Sequence, residues 1–126
     1  MTKVNISKSE HCVLEALWDS SPLTVGQIDE RVQVKSDWHE NTIKTLLVRL
    51  VNKKAVRKRK DGKRFFYEPL VTKEAVVDTE TEGLLGRFFN GQMPALIAHF
   101  AEQKKLSKRD IEEMEAILKR LKKNAR

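Results

Sequence analysis

Mostly α-helix with one small β-hairpin is the fold class that this sequence predicts. It divides into helices plus a basic hairpin over residues 1–71 and helices alone over residues 72–126. Three observations predict it. Ile43, Leu46, Leu47 and Leu50 repeat at helical spacing directly ahead of a cation-rich stretch. That stretch, Lys53 to Arg64, holds eight basic residues against one acid, and its Asp61-Gly62 pair is a strong two-residue hairpin signal. Beyond it the charge evens out: residues 1–70 carry 14 basic against 9 acidic side chains, residues 71–126 only 11 against 9, and apolar residues recur there at helical intervals.

The elements follow in order. Ser7-Lys8-Ser9-Glu10 is a capping box ahead of Val13, Leu14, Leu17 and Trp18, predicting a first helix from about Lys8 to Trp18. Ser20-Ser21-Pro22 breaks it. Thr24 with Gln27 caps a second helix through Ile28 and Val32 to about Val34, and Lys35 to His39 makes the turn. A third helix spans about Glu40 to Lys53. Strands from Ala55 to Lys60 and from Lys63 to Leu70 form the hairpin, with Phe65, Phe66 and Tyr67 supplying β-propensity and core contact. Residues 72–90 are helical, ended by Gly91. Pro94 opens a short helix with Leu96, Ile97 and Phe100, and Ser107 with Asp110 caps a last one. Three helices followed by a basic hairpin is the order of a winged helix-turn-helix, with the third helix in the recognition position.

The chemistry of residues 41–64 suits DNA. At about 100° per residue, the apolar stripe of the third helix faces a core while Asn41, Thr45, Val48 and Asn52 point away, flanked by Lys44 and Arg49. Asn pairs with adenine edges, Thr offers a hydroxyl or a methyl, and Lys and Arg reach guanine or phosphate. Taken alone, such a face is also that of any solvated helix. The hairpin shifts the balance, because its crowded cations repel one another and a polyanion relieves them with release of counterions. A lysine-rich edge that guards against strand pairing explains two or three cations, not eight. The net charge of +7 agrees with a nucleic-acid partner.

Residues 72–126 carry apolar stripes that are large for so short a region: Leu84, Leu85, Phe88 and Phe89, then Leu96, Ile97 and Phe100, then Ile111, Met114, Ile117, Leu118 and Leu121. A second copy of the same segment is the natural cover, so a helical dimerisation region is expected. The alternative is that these helices pack back on the amino-terminal domain. The single cysteine, Cys12, excludes an intramolecular disulfide and a thiolate metal cluster, and no cofactor or metal is expected. No apolar run is long enough to span a bilayer, so membrane insertion is not expected and a cytoplasmic setting is. Enzymatic readings do poorly: His11, His39 and His99 lie on three separate segments, and no glycine-rich phosphate loop is present.

The run from Lys35 to Leu50, with Ile6, Glu10, the Leu17-Trp18 pair and a wing ending in Tyr67, resembles the BlaI/MecI penicillinase-repressor family over nearly the whole chain. The resemblance implies a winged-helix repressor that binds a double-stranded DNA operator dyad as a homodimer through its carboxy-terminal helices. By position it implies DNA contacts from Asn41, Thr42, Lys44, Thr45 and Arg49, with Arg57, Lys58, Arg59, Lys60, Lys63 and Arg64 as the wing, and Trp38 anchoring the start of the recognition helix. In the family's β-lactam-resistance repressors, induction involves proteolysis at an Asn-Phe bond. The corresponding bond here is His99-Phe100, a departure, and a membrane sensor-protease is the partner such control would bring. The Cys-x-Cys pairs of the copper-responsive branch are absent, and His39-Glu40 stands where family members often have Ser-Pro. The competing function is a general nucleic-acid or ribosome-associated protein whose hairpin grips phosphate without reading bases. Asn41, Thr42 and Thr45 favour base readout, since a non-specific binder needs cations on that face.

Overall fold

The structure is a computed structural model and describes residues 5–33 and 38–125. Its elements are α1 (Lys8–Asp19), α2 (Val25–Gln33), α3 (Glu40–Asn52), β1 (Val56–Asp61), β2 (Arg64–Pro69), α4 (Lys73–Phe88), α5 (Met93–Glu102) and α6 (Lys108–Asn124). Val34 and the part of the expected turn at Lys35 to Asp37 lie outside the described residues. Two compact units result, Met1–Thr81 and Glu82–Arg126, and the division falls inside α4 rather than at residues 71/72. The reason is Val76, in the first turn of α4, which is buried in the core of the first unit.

That core is built from the helical stripes. Val13, Leu14 and Leu17 of α1, Ile28 and Val32 of α2, and Ile43, Leu46, Leu47 and Leu50 of α3 are all buried, and Ile6, Leu23, Ala55, Val56 and Tyr67 close it. Each large aliphatic side chain removed from water stabilises the unit by about 1.5–3 kcal/mol, so three short helices and a hairpin suffice. The indole of Trp18 packs against this core and donates to the Val71 carbonyl at 2.9 Å, tying α1 to the chain beyond the wing.

Helix ends follow local chemistry. Ser7 and Glu10 form the reciprocal capping box of α1, the hydroxyl accepting from the Glu10 amide at 3.1 Å and the carboxylate from the Ser7 amide at 2.8 Å. Glu10 does more than cap. It is the one charged residue buried among those described, and Lys53, at the end of α3, donates to its Oε1 at 2.6 Å and to the Asn5 carbonyl at 2.8 Å. Burial alone raises the Glu10 pKa, but hydrogen bonds from Lys53 and Ser7 and the Lys53 charge outweigh it and hold the carboxyl below its ordinary range. Past Lys53, Lys54 adopts a left-handed conformation (φ 64°), and the Ala55 amide reaches back to the Leu50 carbonyl at 2.9 Å. This closes α3 without a glycine and turns the chain into β1.

The hairpin differs from expectation by one residue. Asp61 pairs with Arg64, so the two-residue loop is Gly62-Lys63 and Asp61 is the last residue of β1. Gly62 has φ 67° in the first loop position, where a type II′ hairpin turn calls for glycine. A further pair of backbone hydrogen bonds joins Leu23 and Tyr67, at 3.0 and 2.8 Å, and fixes the hairpin's base to the segment ahead of α2.

In the second unit, Gly91 (φ 76°) returns its amide to the Leu85 carbonyl at 2.8 Å to end the α4 region, Pro94 sits in the first turn of α5, and Ser107 with Asp110 forms the capping box of α6. No residue from 82 to 125 is buried. Leu85, Phe89, Leu96, Ile97 and Met114 are half-buried, and Leu84, Phe88, Phe100, Ile111, Ile117, Leu118 and Leu121 are exposed. The His99–Phe100 peptide bond lies within α5.

Candidate nucleic-acid interface

Helix α3 begins at an imidazole. His39 is the N-cap, its Nδ1 accepting from the Asn41 amide at 3.2 Å, and the half-buried Trp38 packs on the core just ahead of it while its carbonyl accepts from the Gln33 amide side chain. The cap residue is therefore flanked by a fixed point, which orients the first turn of the helix. Asn41, Thr42, Lys44, Thr45, Val48 and Arg49 are all exposed on α3, opposite its buried stripe. The Thr45 hydroxyl donates to the Asn41 carbonyl at 3.0 Å, the back-bond a helical threonine makes to residue i−4. Its hydrogen is spent, so outward it offers an acceptor and a methyl. The Lys44 ammonium stands 3.9 Å from the Glu40 carboxylate, a loose surface pair that leaves the cation available to a stronger anion.

The wing sorts its cations by face. Register pairs Lys58 with Tyr67 and Lys60 with Phe65, and residues directly opposite in an antiparallel pair share a face. Lys58, Lys60, Phe65 and Tyr67 therefore lie together, Lys58 with its ammonium 4.2 Å and Lys60 5.9 Å from the centre of the Phe65 ring. Arg57 and Arg59 are on the other face and share the Glu68 carboxylate at 3.7 and 3.8 Å. Part of the repulsion inherent in the sequence is thus relieved within the hairpin, by one acid and one aromatic ring. Lys63 is at the tip and exposed, as is Arg64 beside it.

An open cleft of about 560 Å³ separates α3 from the wing, lined among others by Thr24, Lys44, Val48, Lys58, Arg64 and Phe65. Helix and hairpin thereby bring Lys44, Lys58 and Arg64 to one concavity, while Arg57 and Arg59 remain outside it. Val48 and Phe65 also line this cleft, although the sequence places Val48 on the outer stripe of the helix without a contact role and expects Phe65 to touch the core; Phe65 is instead exposed, on the strand face that carries Lys58 and Lys60.

Three packed helices, a two-stranded wing and a polar, cation-flanked third helix define a winged-helix regulator of transcription. The chain belongs to the penicillinase repressor family, whose profile matches residues 6–120, and is a DNA-binding repressor of the BlaI/MecI type rather than an enzyme. It is 30% identical over 113 residues to the penicillinase repressor of Bacillus licheniformis, an alignment covering 90% of this chain and 88% of that one. Its identity to the methicillin resistance regulatory protein MecI of Staphylococcus aureus strain N315 is 31%, over 90% of this chain and 92% of the other. Among solved structures, it is similar to Bacillus licheniformis BlaI in its monomeric form in complex with the blaP half-operator. That likeness has a TM-score of 0.52 and 28% identity, covering 59% of this chain and 90% of that one.

Proposed function

We propose that this protein is a cytoplasmic, homodimeric repressor that binds a palindromic operator. In this reading α3 lies in the major groove, where Asn41, Thr42, Lys44, Thr45 and Arg49 meet base edges and the phosphates beside them. The wing cations from Arg57 to Arg64 grip the backbone. The observation that carries the reading is the shared concavity of α3 and the wing, a short-chained hydrogen-bonding face bordered by Lys44, Lys58 and Arg64. A relative at 28% identity bound to a half-operator supports the same docking. The pairing of two copies rests on the second unit, in which no residue from 82 to 125 is buried.

Two variants test base reading against phosphate gripping, on duplexes selected from a random pool. Thr45→Ala weakens binding to the selected duplex by about 1 kcal/mol and binding to unrelated duplex by much less. Equal losses on both would favour the phosphate-gripping protein. The Lys58→Ala, Arg64→Ala pair behaves in the opposite way: affinity falls on both kinds of DNA, and the slope of log K against log salt shrinks by about 0.9 for each phosphate no longer neutralised. Unchanged binding of this pair at low and moderate salt would remove the wing from the interface.

A further inference from the structure

Val48 is not part of the core of its own unit. Its side chain is 60% exposed on the outer stripe of α3, between Thr45 and Asn52, and a β-branched residue is a slightly poorer helix former than the Lys or Glu a solvated position would accept. It also lines the cleft between α3 and the wing, together with Phe65, which is 44% exposed and carries the Lys58 ammonium over its ring. The cleft is thus apolar at these two side chains and cationic at Lys44, Lys58 and Arg64. Duplex DNA offers a matching arrangement: phosphates for the cations and, among base edges in the major groove, one apolar group, the thymine C5-methyl.

We propose that Val48 is a specificity-determining residue that receives a thymine methyl, one per half-site, in the cleft between α3 and the wing. The inference rests on the reading that α3 enters the major groove of a chosen sequence. Val48 neither donates nor accepts a hydrogen bond, so it cannot satisfy the amino group of cytosine or adenine or the acceptors of guanine, and burying those edges against it leaves them unpaired. Its χ1 is nearly fixed in a helix, so its methyls lose little freedom on contact. Phe65, with the Lys58 ammonium over its ring, borders the same region from the wing side.

The probe is a duplex selected by the wild-type protein from a random pool, in which each thymine is replaced singly by deoxyuridine, removing the methyl and nothing else. Dissociation constants are measured by fluorescence anisotropy. At one thymine per half-site, deoxyuridine weakens wild-type binding roughly fourfold, the factor supplied by burying one methyl. Val48→Ala loses affinity for the thymine duplex and shows no further loss on the deoxyuridine duplex at that position. Thr45→Ala retains the deoxyuridine penalty, which separates the methyl contact from a general weakening of α3. The proposal is overturned if no single replacement affects the wild type, or if Val48→Ala keeps the full penalty. Failure of the underlying reading is distinct: the pool then yields no preferred sequence and all duplexes bind alike, which also defeats the methyl site.

Discussion

Changing Ile117 and Leu121 together to Asp is expected to give a monomer whose first unit remains folded and whose affinity for a two-fold operator falls by about 10²–10⁴, the gain that linking two binding events provides. Ile111, Met114, Leu118 and Leu121 are spaced three, four and three residues apart along α6, the interval of a helix-pairing seam, and Ile117 adjoins it. None of the five is buried; Leu118 and Leu121 are 61% and 57% exposed, and so much bare aliphatic surface on one helix is unusual for an isolated chain. Carboxylates there put charge into a seam that a partner must dehydrate. The core of the first unit, which runs from Ile6 to Val76, includes no residue of α6, so its thermal transition should persist. Sedimentation decides the first half of the expectation and operator titration the second. A wild type that sediments as a monomer at micromolar concentration, or a monomeric variant with full operator affinity, would defeat the dimer.

Lys53→Ala is expected to destabilise the first unit by about 3 kcal/mol at neutral pH, the lower end for breaking a buried pair, because Lys53 itself is partly open to solvent. The variant leaves the Glu10 carboxylate inside the protein with the Ser7 amide as its remaining partner among those described, since Oε2 is buried and already has none. The sign of the pH effect follows from the lowered Glu10 pKa. In the wild type this carboxylate contributes stability at pH values above its unfolded value, about 4.3, and the contribution is lost as pH falls through the lower folded value. Alanine at 53 removes much of that contribution, so the gap between the two proteins narrows as the buffer is taken below about pH 4. Urea unfolding at pH 7 and in acid measures it. A gap that stays constant with pH would show that the lysine acts through its aliphatic stem and not through its charge.

Much of the first unit is legible in the sequence because its signals are local. Ser7 with Glu10 and Thr24 with Gln27 mark helix starts within four residues, and the apolar spacing of α1 and α3 picks out the side chains that are buried. What escapes is set at longer range. Glu10 reads as a cap, yet its burial depends on Lys53, 43 residues away, which no periodicity links to it. Lys54 ends α3 in a conformation usually given to glycine, so composition carries no sign of it. Strand alternation separates Arg57 and Arg59 from Lys58 and Lys60, but which pair turns toward α3 depends on Tyr67 being drawn into the core and on Glu68 holding the arginines. The hairpin loop shifts by a residue because Gly62 serves the first loop position as readily as the second. For the carboxy-terminal helices, elements are legible and their cover is not, since the surface that completes them belongs to another molecule in the proposed dimer.

The paired hydrogen bonds between Leu23 and Tyr67 make the wing a cantilever. Its root is clamped on the core through Val56 and Tyr67, whereas from Arg57 to Phe66 the backbone is held, among the described residues, by the cross-strand ladder alone, and a lone two-stranded ribbon of that kind is marginally stable in water. In the proposed binding mode, the tip, with Lys60, Lys63 and Arg64, therefore bends to follow a backbone of varying groove width while the root, and α3 behind it, keep their register. In that mode, tracking of phosphates and reading of bases are then mechanically decoupled: a compliant arm holds loosely to any duplex while a stiff one tests each sequence.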